Sequence, residues 1–523
     1  MYDLIIKNGK VIDGTGKTSP QDLDIGIKGN LISEIGNLKK AKAREIIDAQ
    51  GDYVTPGFID VQNHSDSYWT IFDYPGQESM LTQGITTISV GQCGASLAPL
   101  PSLEGFKAVQ KWRSAEGENI NWQYMEEYLE ILSRQKLGVN VLTFVGHSTM
   151  RRGLLGDDIR KLSESELKVL ERVTTSSLKS GAFGLSFGLV YAHEYNSSKE
   201  ELLRLAKLAT QHGRSISMHI RNDQSHILEA IDEAIDLSQE SGARLKISHL
   251  KIRGRENWHL ADQVIERLDQ THKKGLNVRF DLYPYTTSWP VLYTYLPKWS
   301  YEGGKSELNK RLAQPYLREK IINSLHEQNQ DLSNIIIATS TGSPHLIGKD
   351  LSEIARAQEV TAAEALLNVL SSSMSEVVVF DENISWENLE QFIKHPLGMI
   401  ATNGAGFRTK KINTKNLIHP RCFGAMPRYL NLVLYNKWLS PQKAIHKITG
   451  MPAEYLGLKN RGVIKKGSIA DIAVFDPNGI RDLATLPSPY QVSEGIRAVV
   501  LGGELALSGG RVMARKFGQV LRA

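Results

Sequence analysis

Four imidazoles and one thiol stand at or just beyond the ends of short apolar runs in this chain. Ile59-Asp60-Val61 leads into Gln62-Asn63-His64, and Ile88-Ser89-Val90 leads to Cys93. Phe144-Val145 leads to His147, Ser217-Met218 ends in His219, and Lys246-Ile247-Ser248 ends in His249. Two further runs end differently: Phe280-Asp281-Leu282 in Tyr283, and Ile400-Ala401-Thr402 in Asn403. Neutral imidazole and thiolate are donors that Zn²⁺ prefers. A lone histidine in such a place is more commonly a satisfied core or loop residue. The same groups repeated at successive strand ends read as a zinc-type ligand set.

The elements that must carry these residues are legible in outline. Buried-type strands recur at Thr86 to Val90, Val139 to Val145, Ile216 to His219, Leu245 to His249, Val278 to Tyr283, Ile335 to Ala338 and Met399 to Thr402. Helical patterns lie between them, as at Lys199 to His212, Ile227 to Ser241 and Leu260 to Lys274. Strands alternating with helices predict a parallel sheet, and this many repeats predict a closed (β/α)₈ barrel of the TIM type. Catalytic groups in such barrels sit at the C-terminal strand ends. Residues 290–350, with Trp289-Pro290 at their edge and Leu296-Pro297 inside, break the alternation and read as an insertion over one barrel face. The two chain ends are rich in short strands. Asn8-Gly9 and Gly29-Asn30 mark turns near the start, and Gly502-Gly503 marks a hairpin near the end. The expected division is therefore a small composite β domain, of sandwich type, from residues 1–55 and 460–523, around a barrel over 56–459.

Composition excludes several classes. Of 523 residues, 41% are hydrophobic and 23% charged, which is globular and not disordered. A net charge of +5 over this length is too small for a nucleic-acid footprint. No apolar run approaches ~18 residues, so no membrane span is expected. Met1-Tyr2-Asp3-Leu4 opens without the pattern of a signal peptide. Cys93 and Cys422 make no disulfide framework, so a cytoplasmic location is expected. The oligomeric state cannot be read from the sequence.

An ordered series of motifs resembles the amidohydrolase superfamily and, within it, the D-aminoacylase (N-acyl-D-amino-acid deacylase) family. The series begins with Asp3-Leu4-Ile5-Ile6-Lys7-Asn8-Gly9, Pro56-Gly57-Phe58-Ile59-Asp60-Val61 and Gln92-Cys93-Gly94-Ala95. It continues through Gly188-Leu189-Val190-Tyr191, His219-Ile220-Arg221-Asn222, Ser248-His249-Leu250-Lys251 and Asp281-Leu282-Tyr283-Pro284-Tyr285 to His419-Pro420-Arg421. The resemblance implies a zinc hydrolase with one tight site, held by Cys93, His219 and His249 and leaving an open position for water. It implies a weaker second position near His64. It also implies that Tyr191, Lys251, Ser288 and Arg421 bind the carboxylate of an N-acyl amino acid. Arginine suits that task because its fork makes two parallel hydrogen bonds. His147 resembles a residue that supports the site from behind or lines the pocket, and not a ligand.

Two departures from the family matter. The first barrel strand should end in His-x-His, and here it reads Gln62-Asn63-His64. An amide is a poor zinc ligand, so the second metal position is expected to be empty or altered. The last strand should end in an Asp that shuttles a proton, and here that residue is Asn403. An amide cannot accept and return a proton near neutral pH. The substitute bases are His64 or Asp66, which lie by the lost ligand, or the zinc hydroxide itself without side-chain help. The resulting expectation is an amidohydrolase acting on a carboxylate-bearing N-acyl (D-)amino acid or peptide-like amide, with altered or reduced hydrolysis. The alternatives are C–N chemistry that needs no shuttle, such as cyclisation, condensation or isomerisation, and a metal-stabilised binding protein without turnover.

Overall fold

The computed structural model describes residues 1–109, 118–328, 330–410, 412 and 414–523. Eight parallel strands form the barrel. In chain order they are Phe58–Asp60, Ile85–Val90, Asn140–Thr143 continued by Val145–Gly146, Gly184–Gly188, Ser215–His219, Arg244–Ile247, Val278–Leu282 and Gly398–Ile400. Their registers run side by side, with Ile216 opposite Leu245, Leu245 opposite Val278 and Phe280 opposite Gly398.

The last strand closes on the first through Asp60. This buried carboxylate accepts from Thr402 N at 2.9 Å, Thr402 Oγ1 at 2.5 Å and Asn63 Nδ2 at 2.9 Å. Asn403 N donates to Gln62 O at 2.9 Å, and His64 N to Gly404 O at 2.7 Å. The seam therefore sets the two loops that carry Gln62, His64 and Asn403 against each other.

The strand Gly184–Gly188 has no counterpart among the sequence expectations. It begins and ends in glycine, which hides its strand character. Both are needed for close packing: a Cβ on Gly188 would lie 2.3 Å from Cys93 O, and one on Gly184 would lie 2.3 Å from Ser215 O. Conversely, the apolar run at Ile335 to Ala338 is not a barrel strand. It falls in Ile336–Ser340, which pairs antiparallel with Val377–Glu382, itself paired with Thr287–Ser288. A short apolar run of this kind fits either sheet, and only the pairing decides. The seventh barrel strand pairs directly with the strand Gly398–Ile400, and much of the chain between them is an excursion with its own core, including Leu292, Ile321, Leu351, Leu366 and Val379, before the helix Trp386–Lys394 returns Leu389, Phe392 and Ile393 to the barrel core.

The outer helices follow their apolar spacing. The helix Lys199–Gln211 buries Leu202, Leu205, Ala206 and Ala209 on one face. Ser198 caps it by accepting from Glu201 N. Leu205 is fully buried, and its replacement by Ala would cost about 2–5 kcal/mol. A nine-stranded sheet takes strands from both chain ends, with Tyr53–Pro56 pairing with Tyr2–Val11 on one side and Ile472–Phe475 on the other. Among the described residues, no helix is long and apolar enough to cross a membrane.

Candidate functional site

The strand ends converge on one open cavity of about 660 Å³. Its lining includes His64, Cys93, Tyr191, His219, His249, Lys251, Ser288, Asn403 and Arg421, all expected from sequence. Asp66 is not among the lining residues. Its carboxylate accepts from Ser67 N at 2.7 Å and Gly91 N at 2.8 Å, and burial pushes its pKa up to about 7.

At the floor, one donor atom each from Cys93, His219 and His249 lies within 4.8 Å of the other two. Cys93 Sγ is 3.2 Å from His249 Nε2. The rings of His219 and His249 are 4.2 Å apart and nearly perpendicular. Burial, then the Lys251 ammonium, holds His249 well below the usual imidazole range, so it is neutral and can ligate. A thiolate with two neutral imidazoles suits Zn²⁺ and leaves a fourth position open. Cys93 (φ 54°), His249 (φ 38°) and Asn403 (φ 47°) all lie in the left-handed region. Such conformations persist where surrounding structure enforces them, and here each turns a side chain at the end of a strand.

Around the floor stand groups of a different kind. His64 Nε2 lies 2.9 Å from Asn403 Oδ1 and 4.0 Å from Cys93 Sγ. Gln62 does not line the cavity. Its Nε2 donates to Cys93 Sγ at 3.0 Å, and its Oε1 accepts from Lys246 Nζ at 2.7 Å.

The cationic wall is unevenly occupied. Asp223 is shared by Arg253 at 2.8 Å and Lys251 at 3.2 Å, and Lys251 also lies 3.1 Å from His249 Nδ1. Burial opposes the Asp223 charge, but the two cations hold its carboxyl well below the usual range. Arg421 is 4% exposed, and its Nε and Nη1 have no hydrogen-bond partner among the described residues. It is held from behind. Its guanidinium sits over the Tyr283 ring at 4.5 Å and the Trp289 ring at 5.5 Å, and its backbone N donates to His419 Nδ1 at 3.1 Å. His419 Nε2 in turn donates to Thr287 O at 3.0 Å. Ser288 Oγ donates to Asp381 O at 3.2 Å, and the Tyr191 ring packs edge-on to His219 at 5.3 Å.

His147 lies outside the cavity, fully buried between two carboxylates. Nδ1 is 2.7 Å from Glu194 and Nε2 is 2.8 Å from Glu201. The second cysteine, Cys422, is core: burial raises its thiol to about 11. Sequence reasoning did not single out Lys246, Asp223, Arg253 or Trp289. Lys246 had a usable signal, since it stands between the apolar Leu245 and Ile247 and, two residues before Ser248, shares the face that Ser248 presents.

The chain matches the amidohydrolase family model over residues 45–281 and 419–506. It is similar to the N-acyl-D-glutamate deacylase of Alcaligenes xylosoxydans xylosoxydans, at 30% identity over 505 residues that cover 96% of this chain and 93% of that protein. Among solved structures, the N-acyl-D-glutamate deacylase of Bordetella bronchiseptica, complexed with zinc and a phosphonate mimic of the reaction tetrahedral intermediate, superposes with a TM-score of 0.84. The identity is 27%, and 100% of both chains is covered. A D-aminoacylase structure, concerned with a binuclear metal centre, one-metal activation and second-metal attenuation, superposes with a TM-score of 0.84 at 26% identity, again over 100% of both chains.

Proposed function

This chain belongs to the amidohydrolase family, within it to the D-aminoacylases, and from that premise we propose that it is a zinc-dependent hydrolase of the amide bond in an N-acyl (D-)amino acid. The observation that carries this reading is the placing, in one cavity, of the Cys93, His219 and His249 donors and of Arg421, whose Nε and Nη1 are unpartnered among the described residues. Zinc, when bound, supplies a Lewis acid for the acyl carbonyl and makes water acidic enough to attack at neutral pH.

The chain's own residues do the rest. Arg421 grips the substrate carboxylate through two parallel hydrogen bonds, and its stacking on Tyr283 and Trp289 keeps the fork flat and aimed. Lys251 and Tyr191 flank the ligand histidines and orient the substrate from that side. Asn403 accepts from His64 through Oδ1, so its remaining amide hydrogens are donors that can steady the developing oxyanion. It cannot carry the proton to the departing amine. His64, beside it, is the side chain that can hold a proton at Nε2. Hydrolysis is consequently slower than an aspartate at position 403 would allow. The test is amine release from a panel of N-acyl-D- and N-acyl-L-amino acids by the zinc-loaded protein. Release that depends on Arg421 and zinc supports the reading. Tight binding without release from any member turns the site into a binding module, and a rearranged product without free amine turns it into C–N chemistry of another kind.

A further inference from the structure

Lys246 is fully buried inside the barrel, yet its ammonium is fully partnered. It forms an ion pair with Asp281 Oδ2 at 2.7 Å and donates to Gln62 Oε1 at 2.7 Å, Val61 O at 2.9 Å and, more distantly, Gln92 Oε1 at 3.5 Å. Asp281 is anchored in turn by His249 N, which donates to Oδ1 at 2.8 Å.

This arrangement fixes the direction of the Gln62 amide. An ammonium has donors only, so the amide must face it with oxygen. The amide nitrogen then faces Cys93 Sγ at 3.0 Å. Swapping the two ends would set N–H against ammonium and oxygen against sulfur, a loss at both contacts. The ammonium, itself paired with Asp281, thus polarises an amide whose N–H points at the thiolate of the candidate zinc site.

We propose that Lys246 and Gln62 form a fixed hydrogen-bonded clamp on Cys93, which tunes its thiolate and closes it to a second cation. The clamp rests on the reading of Cys93 as a zinc ligand. An N–H aimed at sulfur draws electron density from it and holds its orientation. It also occupies the side from which a bridging metal ion would approach. Gln62 faces such an ion with its N–H, because its oxygen is turned away toward Lys246. The Lys246 donors behind the amide would likewise claim the acceptor atom of an imidazole placed at position 62. His64 alone then remains on that side, and one imidazole does not make a metal site. Lys246 and Gln62 are positioning residues: neither lines the cavity that would take substrate.

The experiment is titration of the metal-free full chain with Co²⁺, read by the thiolate-to-cobalt charge-transfer band and by bound metal per chain. The wild type should take one ion and show the band, with no second uptake in excess metal. Lys246→Met and Gln62→Met should each shift the band and weaken metal affinity about 10–100-fold, the usual effect of losing a group that orients a ligand. Lys246→Met combined with Gln62→His should take a second ion, and Gln62→His alone should not. Lys246→Met strands Asp281, so circular dichroism checks its fold. Gln62→Met leaves that ion pair in place and tests the clamp by itself if Lys246→Met unfolds. An unmoved band and affinity in Gln62→Met, or a second ion in wild type, overturns the clamp alone. A wild type without any charge-transfer band overturns the zinc reading and the clamp with it.

Discussion

His64 Nε2 donates a hydrogen bond to Asn403 Oδ1 across 2.9 Å, at the seam where the last barrel strand meets the first. An amide oxygen only accepts, so the bond fixes the ring with its proton on Nε2 and fixes the amide with its nitrogen turned away. The pair is well ordered for holding geometry and badly matched for moving a proton.

Asn403→Asp should therefore raise turnover. The new carboxylate occupies the same volume, keeps His64 as its donor and gains a proton-accepting site. Amine release from N-acyl-D-amino acids should rise about 10²–10⁴-fold, the usual contribution of a positioned acid/base group. Gln62→His should add little by itself, because the Lys246 ammonium stays in place behind it. A wild type that is already fast, with Asn403→Ala unchanged in rate, would assign proton transfer to another residue.

The metal prediction is one Zn²⁺ per chain after dialysis against a weak chelator, measured by elemental analysis. Metal that binds only the folded state stabilises it, by about 4 kcal/mol when free metal exceeds Kd 1,000-fold. A strong chelator should then lower the Tm of the wild type and leave that of Cys93→Ala unmoved. A stoichiometry near two, or a Cys93→Ala protein that keeps its zinc, counts against the site as drawn.

Much of this was legible in the sequence, and the gaps have physical causes. Residue types at strand ends marked a zinc-type set of four imidazoles and one thiol, and the family resemblance picked Cys93, His219 and His249 out of it, three residues whose donor atoms the fold brings within 4.8 Å. Gln62 and Asn403 were equally visible as departures. What the sequence could not supply was the partner of each. The Gln62 amide is meaningful only with Lys246 at 2.7 Å, and those residues are 184 positions apart. The Gly184–Gly188 strand escaped notice because its glycines answer to Cys93 O and Ser215 O, which are remote in the chain. Ile336–Ser340 was misplaced in the barrel for the opposite reason, since its apolar run carries strand character but no mark of which sheet it joins.

His147 gives a pH signature independent of the metal. It faces Glu194 and Glu201, and Arg151 Nε shares Glu201 at 2.8 Å. Burial alone would lower its pKa, but the hydrogen bonds and charges of the two glutamates outweigh it and raise the value to about 8. A histidine whose folded pKa exceeds its unfolded value of about 6.5 adds stability that is complete below 6.5. That stability is lost as pH rises through about 8, and its size is on the order of 2 kcal/mol. The Tm of the metal-free chain should fall across this window, and His147→Gln should flatten the fall while lowering Tm at pH 6. A slope that survives the substitution would place the titration elsewhere.

The last prediction concerns how many carboxylates the substrate carries. Three cationic side chains line the cavity, but Arg253 and Lys251 already share Asp223, at 2.8 Å and 3.2 Å. Arg421 is the cation whose Nε and Nη1 are unpartnered among the described residues. Either of these atoms, paired with Nη2, makes a fork that matches one carboxylate. The rest of the wall includes Val190, Trp289, Pro290 and Val291, which suit an uncharged side chain. A second carboxylate would have to displace Asp223 from its partners or stay buried without one, at a cost of several kcal/mol. N-acyl amino acids with neutral side chains should then raise Tm and be turned over in preference to N-acyl aspartate and glutamate. Their carboxamides should raise Tm little, because the fork meets no anion. Arg421→Lys keeps the charge but loses the second hydrogen bond, so it should reduce the shift without abolishing it. Asp223→Asn should move the preference toward the dicarboxylates by releasing Arg253. Equal shifts from acid and amide would remove Arg421 from substrate binding. A wild-type preference for the acidic side chains would show that Arg253 or Lys251 exchanges Asp223 for substrate.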